Sequence, residues 1–166
     1  MKGVKKTALA AILAAIAVVI MYAGSLLGKI DIATAVAASL SVMITLGELG
    51  YGVAFTVYGT VSLLSLFLIP SKTPAVLFVV LFGLYPIIKT FAEGRKGKIK
   101  AYVIKYVYIN AATALLFVIT EVFFAKLPLW IVVLCFAAAN LLLPIYDLAL
   151  SSIMSLYYTR FRRKMR

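Results

Sequence analysis

Apolar runs of about 20 residues recur along the whole chain, separated only by short polar breaks. No other feature constrains the fold as much. A helix of about 20 apolar residues matches the ~30 Å hydrocarbon core of a bilayer. The first run is "TALAAILAAIAVVIMYAGSLL" from Thr7, and the last is "LWIVVLCFAAANLLLPIYDL" from Leu129. Six spans fit, near 7–28, 31–47, 51–69, 74–92, 101–124 and 128–148. Each break has a local cause: the charged "LGKID", the glycines of "GELGYG", the prolines of "IPSKTP", the glycines and charges of "EGRKGK", and the proline of "AKLP".

The composition agrees. The chain is 65% apolar and 13% charged, whereas a soluble domain carries about a quarter charged residues. The 166 residues leave no room for a separate soluble domain. The expected fold is all-α, a polytopic membrane protein with a six-transmembrane-helix bundle over 1–148. A basic cytoplasmic or interfacial tail follows over 149–166, and either continues the last helix or lies along the membrane surface. The basic start and apolar middle of the amino terminus imitate a secretory signal, but the length of the run from Thr7 to Leu27 predicts a retained first helix.

The net charge of +12 is a topology signal before it is a nucleic-acid footprint. Three clusters hold all but three of the 17 basic residues. Lys2, Lys5 and Lys6 precede the first span. Lys89, Arg95, Lys96, Lys98, Lys100 and Lys105 flank the turn between the fourth and fifth. Arg160, Arg162, Arg163, Lys164 and Arg166 close the chain. With six spans all three clusters fall on one side, which the positive-inside rule makes cytoplasmic. Both termini are therefore expected inside, in a multi-pass protein of a prokaryotic plasma membrane. The other side receives Lys29, Lys72 and Lys126.

Enzyme chemistry finds little to work with. There is no histidine, Cys135 is alone, and the five acidic residues are scattered. The commonest general base and metal ligand is thus missing. No catalytic residue, metal or cofactor is expected, and no nucleic-acid partner.

Polar residues inside a membrane are costly and need a partner or a task. On the fifth span Asn110, Ala114, Phe117 and Glu121 recur at helical spacing, as do Trp130, Ala137, Asn140, Pro144 and Asp147 on the sixth. Both stripes are predicted to face inward on antiparallel neighbours. The 1.5 Å rise puts Asn110 and Asn140 each about 12 Å from the inner surface, so an interhelical amide pair is the favoured reading and a ligand contact the rival. Glu121 would pair with Lys126 or Lys72, or line an outward pocket with Trp130 and Tyr22. Lys89 would snorkel or pair with Asp147 or Glu93. Pro86 and Pro144 are expected to kink their helices. The first helix carries two overlapping small-residue spacings, Ala10-x-x-x-Ala14 and Ala11-x-x-x-Ala15, either of which lets another helix approach closely.

This plan resembles the substrate-binding S components of energy-coupling factor (ECF) vitamin transporters: six helices, basic cytoplasmic termini, and Ala-x-x-x-Ala in the first helix. The resemblance covers the full chain. It implies capture of a vitamin or related metabolite in an outward pocket. It further implies that Ala10 and Ala14, or Ala11 and Ala15, contact a coupling membrane subunit whose partners are two cytoplasmic ATPases. The turn "LLGKID" is shorter than the loop that often covers the pocket in that family. A pocket here would be roofed by turns bearing Lys29, Lys72 and Lys126, favouring an anionic or zwitterionic ligand. Its walls would include Tyr22, Glu121, Trp130 and Asn140. Lys89, at the basic inner end, is expected to mark a docking surface. Membrane lipids are the other partners. The alternative is a non-catalytic membrane scaffold or regulatory subunit.

Overall fold

The computed structural model describes residues 3–28, 30–95, 97–123 and 128–160. Among them there is helix and no strand, and six helical segments are long and apolar enough to cross a membrane. The chain divides into two compact units, Met1–Gly94 and Arg95–Arg166.

The first unit contains four of these segments. They are α1 (Gly3–Leu27), α2 (Asp31–Leu49), α3 (Tyr51–Leu68), and a fourth span, Lys72–Glu93. The fourth is not one helix. It is built from α4 (Lys72–Leu77), a π-helical turn (Phe78–Phe82) and α5 (Tyr85–Glu93). α2 packs against α1, α3 and all three parts of the fourth span. Its sequence explains this central place, because Ala35, Ala38, Ser39 and Val42 are fully buried and three of the four are small. Around them lie Ala14, Ala17, Val18 and Met21 of α1, Ala54, Val57 and Val61 of α3, and Phe78 and Ile87 of the fourth span. Three buried hydroxyls turn back onto their own helices: Ser39 donates to the Val36 carbonyl, Thr45 to Ser41 and Ser65 to Ser62.

One residue links α2 to α3. Gly50 takes φ +88° and ψ 178°, a conformation open essentially to glycine alone. Its N–H donates to the Leu46 carbonyl, and its own carbonyl accepts from Ala54. The break at "GELGYG", held in the sequence by a single charge, is thus a sharp one.

The second unit is a helical hairpin of α6 (Lys98–Phe123) and α7 (Leu129–Arg160), which pack against each other. α7 has 32 residues, about 48 Å of helix and well beyond a ~30 Å core. Of the two placements open to the chain after Asp147, it continues as helix through Arg160. Pro144 lies inside α7 without ending it.

Candidate functional site

Three polar arrangements stand inside the apolar helices. In the hairpin, Asn110 and Asn140 exchange two hydrogen bonds: each Nδ2 donates to the other's Oδ1 at 3.0 Å. Each Nδ2 also donates one turn back on its own helix, Asn110 to Tyr106 O and Asn140 to Phe136 O. This is the amide pair the depth argument favours, and it occupies Asn140 rather than leaving it open to a ligand.

Further along the hairpin, Lys105 Nζ donates to Asp147 Oδ2 at 2.8 Å, with the Lys105 side chain almost wholly buried. On the other side of the asparagines Phe117 stacks on Phe136, centroids 5.8 Å apart and rings nearly parallel. These three cross-links fix one antiparallel register. They also correct the sequence stripes. Trp130, Ala137 and Pro144 are exposed, as are Ala114 and Glu121. Phe136, Asn140, Leu143, Asp147 and Leu150 recur instead at spacings of three and four. Leu143 and Leu150 are buried to within a few per cent. Helices that pack nearly antiparallel keep one seam through such a heptad-like repeat, and residues one or two positions away drift to its edge.

In the first unit, Lys89 forms an ion pair with Glu93 at 3.0 Å and is 1% exposed. Of the three placements weighed for Lys89, the Glu93 pair is realised. Such a side chain offers little surface for docking, so any contribution to it comes through exposed neighbours such as Phe91 and Glu93.

The third arrangement is the π-turn. Gly83 N–H donates to Phe78 O at 2.7 Å, five residues back. In an α-helix that donor would go to Val79. The Tyr58 hydroxyl of α3 takes its place, donating to Val79 O at 2.8 Å. A Cβ on Gly83 would stand 2.8 Å from Phe78 O and 2.9 Å from the Tyr58 ring, so the close approach needs glycine. Ser62, one turn along α3 from Tyr58, is 8% exposed. It lies on the same face of α3 as Tyr58, and its buried Oγ has no hydrogen-bond partner among the described residues.

The expected kink at Pro86 is therefore displaced. Pro86 sits in the first turn of α5, where a missing N–H costs nothing, and the irregularity lies before it, at Phe78–Phe82. The sequence cue is "FGLYP", a glycine three residues ahead of a proline in an apolar run. Its tyrosine partner on α3 carries no cue at all.

The remaining ligand candidates are spread out. Tyr22 is 43% exposed and Trp130 67%. Lys72 closes the end of α3, its Nζ donating to Leu66 O at 2.7 Å and Ile69 O at 2.9 Å. That is the place where a cation best offsets the orphan carbonyls of a helix end. Lys29 and Lys126 lie outside the described residues. Among the described residues no cluster of His, Cys, Asp and Glu could hold a metal ion.

On α1 the two small-residue registers separate. Ala14 is buried and Ala10 packs against the core. Ala11 and Ala15, about 100° further round the helix, are exposed.

These features define an all-helical, multi-pass membrane protein whose intramembrane polar groups are largely paired. No protein-family model matches the chain, and no curated protein or solved structure does either.

Proposed function

We propose that the chain is the membrane-embedded, substrate-binding subunit of an ECF-type transporter, with both termini in the cytoplasm of a prokaryotic cell. In this reading it captures a vitamin or related small metabolite on the outer side. A coupling membrane subunit with two ATPases then drives uptake. The observation that carries the reading is the exposure of Ala11 and Ala15 one turn apart on α1. Small side chains there let a foreign helix reach van der Waals contact with the backbone. The Ala10–Ala14 register is spent on the chain's own core, so Ala11 and Ala15 are assigned to the coupling subunit. The three basic clusters supply the topology through the positive-inside rule. Lys29, Lys72 and Lys126 then lie outside, where they favour an anionic or zwitterionic ligand. Uptake of candidate vitamins into cells expressing the chain with a coupling subunit and ATPase pair, with and without Ala15→Leu, tests it.

A second reading, a non-transporting scaffold or regulatory subunit, has one observation in its favour. Asn110 with Asn140, Lys105 with Asp147 and Lys89 with Glu93 satisfy one another. Structural polar groups do so, whereas a binding site leaves some capacity unfilled. A scaffold binds no small ligand at any concentration in a detergent or nanodisc screen.

A further inference from the structure

We propose that the π-turn of the fourth span is a two-position switch, in which the Tyr58 hydroxyl alternates between the Val79 carbonyl and the Ser62 hydroxyl. The inference does not rest on the transporter reading. In the position seen here, Gly83 N–H bonds Phe78 O, Tyr58 O–H bonds Val79 O, and Ser62 Oγ is unfilled. A π-turn holds one residue more than the α-helix it interrupts. When that residue is absorbed, Gly83 N–H returns to Val79 O and the Phe78 carbonyl to the N–H of Phe82. Tyr58 is then displaced and donates to Ser62 Oγ. Gly83 N–H, Phe78 O and Val79 O each keep a partner in both positions, and the hydroxyl at Ser62, otherwise a costly unsatisfied group, is the acceptor the second position requires.

Gly83 permits the exchange, since any larger residue would collide with both Phe78 and Tyr58. Pro86 lets α5 restart as a unit just beyond. Absorbing one residue turns α5 by about 100° and shifts it by about 1.5 Å relative to α4. Each residue of α5 then takes the angular place of the one after it. Phe91, exposed here, moves to the buried place of Ala92, and Ala92 moves to the exposed place of Glu93. The Lys89–Glu93 pair turns with them. The switch thus connects a hydrogen bond in the membrane interior to the surface presented at the Gly94 end of the span.

The test uses the full chain in nanodiscs, with Cys135→Ser and a single cysteine at Phe91→Cys or Ala92→Cys, labelled by a water-soluble maleimide. With Tyr58 present, position 91 labels fast and 92 slowly. Tyr58→Phe removes the bond that holds the π register, and the order reverses, each rate changing by about tenfold or more. Ser62→Ala removes the second acceptor, and labelling at 92 slows by about tenfold. An unchanged order in a folded Tyr58→Phe protein overturns the switch. So does faster labelling at both positions, which reports local unfolding. Should Tyr58→Phe fail to fold, an unchanged rate at 92 in Ser62→Ala overturns it alone.

Discussion

Asn110 and Asn140 bind each other through two reciprocal amide hydrogen bonds in the middle of the α6–α7 hairpin. Replacing either with leucine strands the other amide among apolar side chains. We expect Asn110→Leu and Asn140→Leu each to cost about 1–2 kcal/mol of hairpin stability. The double replacement should cost less than the two singles together, because no amide is left unpaired. A double-mutant cycle on unfolding in bicelles measures this. Strict additivity means that the pair contributes nothing as a pair.

Lys105 and Asp147 behave similarly but with higher stakes. Their side chains are 5% and 14% exposed, so removing one partner leaves a poorly solvated charge. Lys105→Met alone is expected to destabilise by about 3 kcal/mol or more. Lys105→Met with Asp147→Leu should recover most of the loss, since a buried ion pair is often replaceable by packed apolar residues. Thermal unfolding in detergent reads both, and no recovery in the double variant would show that the pair is needed as charges.

Two glycines test helix contact. Gly24 of α1 meets the side chain of Thr34 on α2 so closely that a methyl group has no room. Gly52 of α3 faces open space. Gly24→Ala should therefore lower stability by about 1–3 kcal/mol. Gly52→Ala should leave stability unchanged or raise it by about 0.5–1 kcal/mol. Equal effects at the two sites would mean that the α1–α2 contact is looser than its geometry.

The two alanine registers of α1 make opposite predictions. Ala14→Leu overfills the core and should reduce yield and melting temperature. Ala15→Leu should leave both intact, because the site is exposed. Monodispersity and melting temperature in detergent separate the two.

Much of this was legible in the residues themselves. The six spans follow from run length alone, and the Asn110–Asn140 pair follows from counting rise per residue from two helix ends. The separation of Ala10–Ala14 from Ala11–Ala15 was not legible, since alanines one position apart are chemically identical and only packing sorts them. The π-turn escaped for a related reason. The local cue "FGLYP" marks an irregularity but not its form, and the hydroxyl that fills the freed Val79 carbonyl lies 21 residues away on another helix, where no local spacing records it. Trp130 and Glu121 misled because a 3.6-residue stripe was read where the hairpin follows a heptad-like seam. Lys72 suggested a ligand group by its charge, and its bonds to the carbonyls at the end of α3 were not legible, because they depend on where that helix stops.

The most direct test of the transporter reading is affinity purification of the tagged chain after co-expression with an ECF coupling subunit and its two ATPases. The wild-type chain should bring down all three, and Ala15→Leu should lose them while remaining folded and membrane-inserted. A wild-type chain that purifies without the ATPase pair, or an Ala15→Leu chain that retains it, contradicts the reading.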